Sequence, residues 1–165
     1  MSALKKLSPQ AIPSALEKAE RYRLLNEPAE AESICLDVLA VEAQNQKALV
    51  TLLLALTDRF TKGYMVSDTQ AHEIAAQLKS EYERLYYGGI IFERKAKSKL
   101  EHASPESNYM AYDLLQEAMS HFERAEKIRP HGNDDALLRW NTCSRLIARN
   151  NLAAKAPDER EPYLE

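Results

Sequence analysis

The fold is decided by residues 118–130, which read Ala-Met-Ser-His-Phe-Glu-Arg-Ala-Glu-Lys-Ile-Arg-Pro. In this stretch a small residue, Ala118, is followed by the aromatic Phe122 and then by a second small residue, Ala125. At helical spacing these three side chains share one face. The small residues let a second helix approach closely, the ring fills the space between the helices, and Pro130 ends the helix because it cannot continue the hydrogen bonding. The stretch therefore predicts a helix packed closely against a neighbour.

Start and stop signals along the rest of the chain predict seven helices. Proline suits a first turn, where its missing N–H costs nothing, and Ser, Asp or Asn suits an N-cap. Ser80 and Glu83 have the spacing of a capping box, so a fifth helix is expected to start there. The third helix, after Asn45, is apolar nearly all round and is expected at the centre. The expected starts are Pro13, Pro28, Asn45, Ser67, Ser80, Ser104 and Asn133, and the expected stops are Asn26, Ala43, Gly63, His102, Pro130 and Asn150.

Length and composition limit the class of protein. The 165 residues are 45% hydrophobic and 28% charged, which suits one domain with its own core. Only four glycines occur, which argues against an all-β domain rich in tight turns. A net charge of −3 argues against a nucleic-acid-binding module, which needs a surplus of Lys and Arg. The N-terminus lacks the apolar core of a secretory signal and no stretch is long enough to span a membrane, so a cytoplasmic protein is expected.

The spacing of Ala118, Phe122, Ala125 and Pro130 resembles the second helix of a tetratricopeptide repeat. The same offsets return at the start of the chain, and residues 12–45 match a whole unit at about the 34-residue period of that family. The resemblance implies an all-α fold, a right-handed stack of three antiparallel helix hairpins with a C-terminal capping helix. The residues that carry the earlier match are Ala19, Tyr22, Ala31, Cys35, Val38 and Ala43.

The resemblance also divides the chain. It implies a single domain over residues 1–150, and we expect residues 151–165 to form a disordered charged tail. The middle unit carries an insertion around residues 62–67, and the third hairpin is lengthened. The expected units are repeats at about 12–45, 46–79 and 80–132 and a capping helix at 133–150.

Few side chains have the spacing of a reactive site. Nucleophile motifs and Gly-rich phosphate loops are missing, and Cys35 and Cys143 lie in apolar helical patterns typical of buried thiols. Asp113, Glu117 and His121 share one helix face and could ligate a metal ion, but no second such motif is present. We therefore expect no enzyme activity, no metal and no other cofactor, and keep a small helical-bundle metal protein or enzyme as an alternative.

In the resembled family, the first helices of successive hairpins line a concave groove that binds a peptide or helix. Carried onto this chain, that groove has an apolar floor with charged residues at its sides, which suits the apolar side of a partner segment. The residues implied are Leu16, Glu20, Leu24, Val50, Leu54, Asp58, Tyr86, Ile90, Arg94, Leu137, Asn141 and Arg145.

The function expected from these patterns is that of a non-catalytic adaptor or scaffold that binds another protein, with neither nucleic acid nor membrane as a partner. The alternative is a structural homo-oligomer in which a second copy of the chain covers the groove. The patterns do not choose between a foreign partner and self-association.

Overall fold

The computed structural model describes residues 2–62 and 67–157, and over these residues the chain is all-helical with no strand. A short 3-10 turn, Pro9–Ala11, precedes the first helix. Seven α-helices follow, at α1 Ile12–Leu24, α2 Pro28–Val41, α3 Gln46–Asp58, α4 Asp68–Ala76, α5 Glu81–Leu100, α6 Pro105–Lys127 and α7 Asp135–Arg149. The predicted all-α class is therefore confirmed.

Most predicted helix starts are confirmed by the capping groups. The side chain of Asn45 accepts the N–H of Ala48 at 2.9 Å, and the side chain of Ser80 accepts the N–H of Glu83 at 3.3 Å. Ser104 forms a reciprocal capping box at the start of α6. Because these groups satisfy N–H donors that have no partner within the helix, each fixes the residue at which its helix begins.

Several expected boundaries differ from the structure or fall outside it, and α2 and α6 end before the expected stops, at Val41 and Lys127. The N-cap of α7 is Asp134, one residue later than predicted, although the side chain of Asn133 still accepts the N–H of Asp135 at 2.9 Å. Helix α3 ends at Asp58, and the predicted stop at Gly63 lies outside the described residues. In the predicted tail, Leu152 is only 7% exposed and packs with the core near α6 and α7, while residues 158–165 are not described.

Helix α3 lies at the centre of the molecule, as its apolar sequence predicted. It contacts α1, α2, α4 and α5, and most of its side chains are buried. Each helix also contacts the next along the chain, and the odd-numbered helices touch in succession, α1 with α3, α3 with α5 and α5 with α7. The odd-numbered helices therefore lie side by side.

The closest helix packing is between α5 and α6. An added Cβ atom on Gly89 would lie 2.5 Å from Cε1 of Phe122, and one on Gly88 would lie 3.0 Å from Cδ2 of His121. Phe122 is fully buried in a cluster that includes Ala136 and Cys143 of α7. The Phe122 ring predicted from the 118–130 pattern therefore fills the space that Gly89 leaves, and it also contributes to the docking of α7.

Phe122→Ala should lower the free energy of unfolding by about 3–5 kcal/mol, because it leaves a cavity between close-packed helices. Denaturant midpoints of wild type and variant at equal slopes measure this loss. Ile128→Ala, at the exposed end of the same helix, is the control and should cost about 0.5 kcal/mol or less. Equal midpoints for Phe122→Ala and wild type would contradict the packing described here.

Candidate functional site

Of the predicted groove residues, some are buried in the core, some are half-buried and some are exposed. Leu16 and Ile90 are each 5% exposed and lie in the core, which corrects their predicted place on the surface. Leu16 packs with Ile12, Val38 and Ala48, because α1 turns this face towards α2 and α3. The exposed members are Glu20, Leu24 and Arg145, and the half-buried members are Val50, Leu54, Asp58, Tyr86, Arg94, Leu137 and Asn141.

An open cavity of about 390 Å³ lies where α1, α3 and α5 meet. Its apolar lining comes from Val50, Leu54 and Tyr87. Only Glu20, Val50 and Leu54 of the predicted residues line it, and the others, including all of those on α7, do not. The lining residues that the sequence did not predict are Arg23, Gln46, Lys47, Thr51, Glu83 and Tyr87.

Most of the missed residues lie within one helical turn of a predicted one. Tyr87 follows Tyr86, Lys47 precedes Val50 by three positions, and Arg23 follows Glu20 by three. These residues were missed because the sequence pattern does not give the rotation of each helix about its axis. A repeat pattern identifies which helices line the groove, but it does not fix that rotation to within one residue.

One end of the cavity is fixed by a cluster of one carboxylate and two guanidinium groups. Asp58 Oδ2 accepts from Nε of Arg23 at 2.8 Å, and Asp58 Oδ1 accepts from Nη1 of Arg94 at 2.5 Å. Arg94 also donates to the carbonyl oxygen of Leu54 and to the hydroxyl of Thr57. Burial lowers the pKa of Arg94, and the charge of Asp58 opposes that effect. Asp58 and Arg94, both predicted to face a partner, instead tie α1, α3 and α5 together.

Asp58→Asn should lower the free energy of unfolding by about 1–3 kcal/mol, because it leaves two partly buried guanidinium groups without their carboxylate. Urea unfolding measures the loss. The matched control is Glu20→Gln, which removes an ion pair to Lys47 at 3.7 Å whose side chains are 51% and 53% exposed. That pair should contribute less than about 0.5 kcal/mol. Equal losses in the two variants would contradict the structural role of Asp58.

Three tyrosines of α5 extend from the cavity towards α7. The Tyr82 and Tyr86 rings stack with centroids 5.9 Å apart, and the Tyr86 and Tyr87 rings meet edge to face at 5.0 Å. Burial raises the pKa of all three phenols, that of Tyr86 to about 12, and the carboxylate of Asp135 raises each of them further. The charge of Asp135 therefore acts on this aromatic cluster.

A buried carboxylate holds α7 against α5. Glu93 is fully buried and pairs with Arg139 of α7, while Lys97 lies 3.8 Å away. The thiol of Cys143 lies 3.7 Å from Glu93 Oε1, and burial raises the pKa of this thiol to about 12. Burial also raises the pKa of Cys35 to about 12, so the prediction of two buried thiols is confirmed. Both thiols are therefore protonated at neutral pH and poorly nucleophilic.

The histidine of the metal alternative packs against aromatic and backbone groups. The ring of His121 lies 5.1 Å from that of Phe92, and its Nδ1 is 2.9 Å from the backbone oxygen of Glu117. The ring of His72 lies on Phe92 as well, at 4.9 Å. In the described part of the chain, no three His, Cys, Asp or Glu side chains are grouped so that they could hold a metal ion.

Stability should fall as the pH drops from 7 to 5 because of His72. Burial lowers the folded-state pKa of His72, while Asp68 raises it and the nearby His121 and Lys95 lower it. The unfolded chain therefore takes up a proton near pH 6.5, before the folded chain does, and protonation favours unfolding. The pKa of Asp68 is lowered from 3.8 by Lys95, so its contribution is lost only below this window.

Urea unfolding at pH 7 and pH 5 checks this prediction. His72→Gln should flatten the pH dependence, and the exposed His131→Gln should leave it unchanged. The same pH dependence in wild type and His72→Gln would contradict it.

No family model, curated protein sequence or solved structure matches the chain. Among the described residues, no helix is both long enough and apolar enough to cross a bilayer.

Proposed function

We propose that this chain is a non-catalytic adaptor that binds a segment of another protein, a peptide or an amphipathic helix, in the cavity between α1, α3 and α5. The observation that carries the proposal is the composition of that cavity. Val50, Leu54 and Tyr87 give it an apolar lining, and the charged side chains of Glu20 and Lys47 stand at its edge. Apolar side chains surrounded by polar and charged ones are usual at a protein-binding surface.

The packing of the helices supports a tetratricopeptide-like arrangement as part of this proposal. In such a stack each first helix lies beside the first helix of the next hairpin, and α1, α3 and α5 contact one another in that order. Helix α7 then continues the row beside α5 and covers the last hairpin, as a terminal cap must.

The titratable groups support a binding role over catalysis. Both thiols are buried with a pKa of about 12, and Asp58 and Arg94 are engaged with each other. Neither thiol is therefore poised for nucleophilic work at neutral pH. A cytoplasmic location belongs to the same proposal, since free thiols suit a reducing compartment.

Affinity capture from a cell lysate tests the proposal. Leu54→Glu places a charge in the lining, and Lys47→Trp fills the cavity from a rim position whose side chain is 53% exposed and so spares the core. Both variants should lose the proteins that the wild type captures, while Leu36→Glu, on the exposed face of α2, should retain them. Circular dichroism confirms that each variant is folded. If folded Lys47→Trp captures the same set of proteins as the wild type, the proposal is wrong.

A further inference from the structure

Some of the charged side chains around the cavity form ion pairs within the chain, and one does not. Both cations that line it already have carboxylate partners within the chain, Arg23 with Asp58 at 2.8 Å and Lys47 with Glu20 at 3.7 Å. Glu83 lines the same cavity and forms no ion pair with any described residue. The charge available to a partner at this edge is therefore negative.

A second carboxylate without an ion-pair partner acts on the same tyrosines. Asp135 forms no ion pair within the described part of the chain, and its charge, like that of Glu83, raises the pKa of Tyr82 and Tyr87. Both carboxylates lie in the first turn of their helices, α5 and α7, where acidic side chains interact favourably with the helix dipole.

The tyrosines on which both charges act lie close together on α5. Tyr87 lines the cavity, Tyr86 meets it edge to face, and Tyr82 stacks on Tyr86. A Lys or Arg side chain gains from lying on tyrosine rings and gains further from nearby carboxylates. The same surface would repel an acidic segment.

We propose that the occupant of the cavity is a partner segment that inserts a large apolar side chain against Val50, Leu54 and Tyr87 and carries a neighbouring Lys or Arg that pairs with Glu83 and Asp135. This inference rests on the proposed function, since it names the chemistry of the segment bound at the same site. The apolar side chain provides most of the contact, and the basic residue determines which segments bind.

Selection from a random phage-displayed peptide library tests the inference. The wild type is the target, and folded Leu54→Glu and Lys47→Trp serve as counter-targets that remove peptides bound elsewhere. The retained peptides should share an apolar residue flanked by Lys or Arg. Their affinity, measured by fluorescence anisotropy of a labelled synthetic copy, should fall about tenfold in the double variant Glu83→Gln, Asp135→Asn. The difference should shrink as salt is added.

The matched control is the double variant Glu30→Gln, Glu117→Gln, which removes the same amount of charge from exposed positions on α2 and α6, outside the cavity lining, and should bind the peptide as the wild type does. Retained peptides without a basic preference, or with an acidic one, overturn this inference and leave the proposed function standing. A selection with no peptide sensitive to Lys47→Trp overturns both. So does light scattering that shows a wild-type dimer and a Lys47→Trp monomer, because a second copy then covers the cavity.

Discussion

The pairing of Asp58 with Arg23 and Arg94 is the interaction on which the candidate site depends. A single carboxylate at the end of α3 binds a guanidinium from α1 and another from α5, across 35 and 36 positions of sequence. These bonds fix the rotation of three neighbouring helices at one end of the cavity. The two guanidinium groups share the partly buried carboxylate of Asp58. Charge-assisted hydrogen bonds of this kind stabilise the fold and also require a defined geometry. This pairing therefore helps to fix the shape of the apolar lining.

The second constraint acts on the other side of α5. Gly88 and Gly89 let α6 approach so closely that the rings of His121 and Phe122 occupy the space of the missing side chains. Glu93 of α5 also pairs with Arg139 of α7. Helix α5 therefore has its position set by α6 and α7 on one side and by Asp58 on the other. Its tyrosines and Glu83 are presented on a helix that is held from several directions, which lowers the entropy lost on binding.

Much of the fold could be predicted from the sequence, because its signals are local. Asn45, Ser80 and Ser104 cap helices where they were expected to, and Phe122 is buried as its spacing predicted. The site was predicted only in part, because a lining residue depends on helix rotation. A rotation of one position, about 100°, is enough to move Ile90 into the core and to place Tyr87 in the cavity. The ion pairs of Asp58 join residues far apart in sequence, and no local pattern indicates them.

The charged side chains near the cavity differ in whether they form ion pairs within the chain. Glu83 and Asp135 lie in the first turns of α5 and α7, where acidic side chains interact favourably with the helix dipole. Arg23 and Arg94 lie in the later turns of their helices and are neutralised in part by Asp58. Arg23 and Arg94 thus hold the helices together, whereas Glu83 lines the open cavity without an ion pair to any described residue and acts with Asp135 on the tyrosines of α5. On the proposed function, this distribution of charge favours a basic apolar segment over an acidic one.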